Sequence, residues 1–109
     1  MADRDWIDVR PDLWDTVRRI LQTCVPQHEI WAFGSRVKGT AKPHSDLDLA
    51  IITRQPLPLG VLATLNDAFA ESDLPWRVDV VDWATTSETF RDIIEQDKVV
   101  VQRGHGAGA

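Results

Sequence analysis

The chain has 109 residues, 43 % of them apolar and 27 % charged, with a formal net charge of −5. That composition fits one folded domain with a modest core and excludes a disordered polyelectrolyte. The acidic balance and the lack of any Lys/Arg block exclude a polynucleotide groove, because such grooves bind by neutralising phosphates. No apolar run approaches the roughly 20 residues of a membrane helix, and Met1-Ala2-Asp3-Arg4-Asp5 is no signal peptide. The single Cys24 has no internal disulfide partner and reads as a small core hydrophobe, so a cytoplasmic location is expected.

Pro11 suits the first turn of a helix, with Asp12 and Asp15 near its positive end. Leu13, Val17, Ile20, Leu21 and Cys24 continue it at helical spacing until Pro26. Glu29 to Phe33 reads as a short strand entering Gly34, and Ser35 to Val37 as the start of a short helix. Gly39 and Pro43 punctuate the loop that follows. Leu47 to Thr53 is a near-continuously apolar strand, expected at the centre of its sheet. After the loop Gln55-Pro56-Leu57-Pro58, a helix carries Val61, Leu62, Leu65, Ala68 and Phe69 on one face and ends before Pro75.

Trp76 to Val81 is the third strand, with Arg77, Asp79 and Val81 on one face and Val78 and Val80 on the other. Thr86 or Ser87 caps a last helix containing Phe90, Ile93 and Ile94, and Val99-Val100-Val101 is a final extended piece. The expected class is therefore α/β (α+β type), a small mixed sheet covered by helices. One domain is expected over residues 1–103, with a disordered tail from Gly104 to Ala109.

The chemistry concentrates between Gly34 and Ile51. A Gly34-Ser35 turn, ten intervening residues and Asp46-x-Asp48 stand at a strand–turn–helix–loop–strand junction. Alternation in a strand puts Asp46 and Asp48 on one side, about 7 Å apart, and sends Leu47, Leu49 and Ile51 into the core. Two such carboxylates suit Mg²⁺, which fills its remaining positions with water and substrate phosphates. Asp79 is the candidate third carboxylate, because an acid inside an apolar strand is costly unless paired, metal-bound or solvent-facing. Asp82 competes for that place, although its position at the strand exit favours an exposed cap.

Gly34 lets backbone N–H groups approach a phosphate, Ser35 adds a hydroxyl, and Arg36 or Lys38 can reach a phosphate oxygen. The alternative for Arg36 is a solvated helix residue, and for Ser45 and His44 a role in the loop. Of Trp6, Trp14, Trp31, Trp76 and Trp83, most are expected in packing, while Trp6 is a candidate anchor for a partner.

Gly34-Ser35-x10-Asp46-x-Asp48 with Asp79 on a later strand resembles the DNA polymerase beta-like nucleotidyltransferase superfamily. The short chain, Gly34-Ser35-Arg36, Ser45-Asp46-Leu47-Asp48-Leu49, Val78-Asp79-Val80-Val81-Asp82-Trp83 and Phe90 to Asp97 are similar to its minimal nucleotidyltransferase (MNT) antitoxins. The resemblance covers residues 11 to 102. It implies ATP as substrate, Mg²⁺ held by Asp46, Asp48 and Asp79, and a triphosphate held at Gly34, Ser35 and Arg36. It also implies a partner, a HEPN-domain RNase toxin acting as a dimer, silenced by AMP transfer to a tyrosine.

So small a chain leaves little room for an acceptor pocket of its own, which favours an acceptor carried by a partner protein. Two other readings stay open at this point: an antitoxin that neutralises by contact alone, and a nucleotidyltransferase acting on a small molecule. A polymerase is disfavoured by the charge.

Overall fold

The computed structural model describes residues 7–104. Trp6 and the tail beyond Gly104 lie outside the described residues. Helix α1 (Pro11–Cys24) opens the domain, followed by strand β1 (Glu29–Phe33), the single-turn helix α2 (Ser35–Lys38) and strand β2 (Leu47–Ile52). Then come α3 (Leu59–Ala70), β3 (Val78–Asp82), a 3₁₀ turn (Trp83–Thr85), α4 (Glu88–Asp97) and β4 (Val99–Gln102). The expected elements are all present, and α1 and β1 begin and end where the pattern placed them.

The sheet runs β3-β2-β1-β4 and is mixed. β1 is antiparallel to both β2 and β4, whereas β2 and β3 are parallel. β2 is thus central, as its apolar run implied. The terminal extended piece becomes an edge strand, and its Gln102 side chain donates to the carbonyls of Val25 and His28, 2.9 Å each. The third strand begins at Val78 rather than Trp76. The ladder starts where the Leu47 N–H donates to the Arg77 carbonyl, leaving Trp76 outside it.

Each face of the sheet carries its own core. Leu47, Leu49 and Ile51 are fully buried with Ile30, Ala32 and Val99 against Val17 and Leu21 of α1 and Leu65 and Phe69 of α3. Burying each such aliphatic side chain contributes about 1.5–3 kcal/mol. On the opposite face Trp31, Phe33 and Ala50 pack on Ile94 of α4. The Trp31 and Trp83 rings meet edge-on at 5.0 Å. This second cluster is smaller and stops short of the ends of β2 and β3 that carry the acids. Gly104 lies so close to the Gln27 carbonyl that a side chain would not fit there. Among the described residues no helix is long and apolar enough to cross a membrane.

Candidate active site

The chain turns sharply where β1 ends. Gly34 has φ +83° and ψ −159°, a conformation that favours glycine. A Cβ there would also run into the carboxylate of Asp48. Turn and acid are therefore built against each other. Gly39 ends α2 in the left-handed region, φ +82°, with open space around it. Its glycine serves the helix C-cap.

The acids come together through strand register. Asp48 pairs with Phe33 across β1 and with Asp79 across the parallel ladder to β3. Register partners share a face, so the two carboxylates project side by side toward the α4 layer. Asp46 lies two residues before Asp48 and presses on it electrostatically. Burial, then the Asp79 charge, then the Asp46 charge push the Asp48 carboxyl up from 3.8 to about 6. Asp79 is exposed on an edge strand, which resolves the apparent cost of an acid there: it faces solvent on the site side.

Among the described residues no group of three or more acidic, imidazole or thiol side chains is placed to hold a metal ion by itself.

Asp48 and Asp79 border a cleft of about 290 Å³ that also takes in Phe33, Gly34, Lys38 and Val81. Its far wall is α4, which presents Phe90, Ile93 and Asp97. Lys38 Nζ lies 3.7 Å from Asp97 Oδ2, an ion pair across the cleft.

Arg36 is a correction. It is 5 % exposed and faces away from the cleft, neither a phosphate ligand nor a solvated residue. Its Nε and Nη2 donate to the Ser45 carbonyl, Nη2 also to Pro43, and Nη1 to Asp8. Its guanidinium stacks 4.6 Å from the Trp76 ring centroid. The side chain thus fastens the loop before Asp46 to the N-terminal segment and to the entrance of β3. A guanidinium has five donors in a fixed fork, enough to satisfy several carbonyls at once. Lys38, the other cation weighed for the phosphates, does line the cleft.

Asp82 is also corrected. It does cap the 3₁₀ turn, accepting from Ala84 N–H, but it is buried at 7 % exposure. It accepts further bonds from Thr53 Oγ1 and the Leu57 N–H, tying the loop after β2 to β3. It is not among the residues of the cleft. Ser45 sets its turn, its Oγ accepting from the Lys42 N–H, and His44 is exposed. The cleft lining includes no tryptophan.

Sequence reasoning did not single out Phe90, Ile93 and Asp97 for the site. Their spacing of three and four places them on one stripe of α4, beside the buried Ile94. That stripe was legible; which way it faced was not.

The nucleotidyltransferase domain family matches residues 14–103. The chain belongs to this family. A Haemophilus influenzae relative named "Probable protein adenylyltransferase MntA" is 56 % identical over 96 residues, covering 88 % of this chain and 84 % of the relative. This nucleotidyltransferase therefore stands with the MntA proteins, as the motifs implied.

A crystal structure of a toxin–antitoxin with AMP-PNP shares the fold at TM-score 0.70 and 24 % identity, over 84 % of this chain and 74 % of that one. So does a tri-AMPylated Shewanella oneidensis HEPN toxin in complex with MNT antitoxin, at TM-score 0.63 and 21 % identity, over 83 % and 69 %. The small mixed sheet covered by helices that the pattern implied is the fold these structures share with this chain.

Proposed function

We propose that this nucleotidyltransferase is the antitoxin of a HEPN/MNT pair, moving AMP from ATP onto a tyrosine of a HEPN RNase toxin. The observation that carries the reading is the register pairing of Asp48 with Asp79 beside the Gly34 turn, in a chain 56 % identical to an MntA protein. The solved relatives of the same fold, one with AMP-PNP and one with an AMPylated toxin, support ATP and the HEPN partner. The setting is cytoplasmic, the partner a dimer, and no nucleic acid binds the chain directly. The catalytic domain spans residues 1–103.

The triphosphate lies along the Gly34-Ser35 turn, where backbone N–H groups reach its oxygens and Lys38 supplies a charge in place of Arg36. Asp46, Asp48 and Asp79 would hold Mg²⁺ together with water and the phosphates, and it would lower the cost of the charge that builds on the attacking and leaving oxygens. Asp79, exposed at the edge of the site, accepts the proton of the tyrosine hydroxyl. The phenolic oxygen bonds to the α-phosphorus as the bond to the pyrophosphate oxygen breaks. Phe33 and Val81 keep the floor of the cleft apolar.

The test is intact mass of the HEPN partner after incubation with ATP and Mg²⁺, alongside the Asp46→Asn, Asp48→Asn double variant. A gain of about 329 Da per event, the AMP increment of this transfer, is expected with the intact site alone. No mass change, with the toxin silenced by both versions, would replace catalysis by neutralisation through contact.

A further inference from the structure

Strand register holds Asp48 and Asp79, but it does not hold Asp46. β2 begins at Leu47, and the pairing that sets Asp48 between Phe33 and Asp79 does not extend to Asp46. Asp46 instead ends the loop that leaves Gly39, in which Lys42, Pro43 and His44 are all exposed. Neither a ladder nor a core therefore fixes this acid. Its hold comes from Arg36.

Arg36 Nε and Nη2 both donate to the Ser45 carbonyl, at 3.0 and 2.8 Å. That oxygen belongs to the planar peptide group that ends at the Asp46 Cα. Two donors of a rigid fork on one oxygen leave that plane little freedom to swing, which sets the direction of the Asp46 side chain. The same guanidinium stacks on Trp76, which precedes Arg77, and the Arg77 carbonyl accepts the first ladder bond, from the Leu47 N–H. Asp79 follows two residues later. On its far side Arg36 Nη1 donates to the Asp8 carbonyl, while the Asp8 N–H donates back to the Arg36 carbonyl, at 2.8 and 2.7 Å. One buried side chain, next to Ser35 in sequence, thus joins the approach to Asp46 to the entrance of the strand that carries Asp79.

Resting on the adenylyltransferase reading above, we propose that Arg36 is a positioning residue for AMP transfer. It holds Asp46 beside Asp48 and Asp79 and takes no part in binding the nucleotide. Losing the fork therefore slows transfer within the bound complex and leaves Mg·ATP binding alone, because the Gly34 turn and Lys38 carry that binding. Lysine is no substitute. Its compact ammonium cannot span Ser45, Pro43 and Asp8 as the planar fork does.

The experiment compares wild type with Arg36→Lys and with Trp76→Leu, which removes the ring under the guanidinium and leaves the fork itself. Thermal melts set a temperature at which each protein is folded. At that temperature Mg·ATP affinity is read by calorimetry, and kcat and KM for the full-length HEPN partner by intact mass over time. Arg36→Lys should lower kcat about 10- to 100-fold, the scale of a 1 Å misplacement. Mg·ATP affinity and the partner's KM should stay within about twofold of wild type. Trp76→Leu should show the same split at smaller size, and it decides alone if Arg36→Lys does not fold. Unchanged kcat in the folded variants would reduce Arg36 to a stabilising residue and overturn the proposal. A parallel loss of Mg·ATP affinity would return Arg36 to the phosphates and overturn it as well. A wild type that transfers no AMP sinks the adenylyltransferase reading itself, an outcome seen without either variant.

Discussion

Replacing Asp48 by Asn should abolish AMP transfer and at the same time make the metal-free protein more stable at neutral pH. Asp48 is held at about 6 by burial first, then by Asp79 and Asp46. A folded-state value above the ordinary 3.8 means that the folded protein favours the protonated acid. Its stabilising contribution is complete below about 3.8 and is lost as pH rises through about 6. Above that window the ionised carboxylate burdens the fold.

From 3.8 to about 6, at about 1.4 kcal/mol per pH unit, the ceiling is about 3 kcal/mol. Asp48 is only half-buried and solvent screens part of the repulsion, which leaves about 1–2 kcal/mol. For a domain near 100 residues each kcal/mol moves Tm by about 4–8 °C. The assay is urea and thermal unfolding of wild type and Asp48→Asn in EDTA from pH 4 to 8. The variant should be more stable at pH 7.5, with the gap closing toward pH 4. Equal stability at every pH, or a variant less stable at pH 7.5, would refute the claim that crowded negative charge is stored at this acid.

Three further variants test the Gly34 turn and the short helix that follows it. Gly34→Ala combines left-handed backbone strain with a Cβ thrust into the Asp48 carboxylate, and should cost about 2–4 kcal/mol in chemical denaturation. The folded fraction should transfer no AMP. Arg36→Ala and Lys38→Ala should fail in opposite ways: Arg36→Ala strips buried carbonyls of their donor and costs about 3 kcal/mol of stability. Lys38→Ala should leave the melt unchanged while weakening Mg·ATP about tenfold, the worth of one charged phosphate contact. Calorimetry beside a thermal melt separates the two, and the reverse pattern would return the phosphate role to Arg36.

The chain's order of residues determined its elements because their signals are local. Pro11 and Pro26 bracket α1, alternation around Asp48 sends Leu47, Leu49 and Ile51 inward, and Ser87 caps α4 through the Phe90 N–H. The Gly34-Ser35 turn and the Asp46-x-Asp48 pair were legible for the same reason, since turn and strand geometry fix their relation within fifteen residues.

What depended on distant partners was decided only by the tertiary structure. Arg36 looks like a phosphate ligand beside a Gly-Ser turn, yet Asp8, Pro43, Ser45 and Trp76 converge on it from three segments and bury it. Asp82 looks like a surface cap until the loop bearing Thr53 and Leu57 folds over it. The exposed stripe of α4 became a wall of the site only once that helix crossed the sheet face carrying Asp48 and Asp79. Period and propensity report which face of an element is apolar; the partner that meets it is set by the closing of chain segments far apart in sequence.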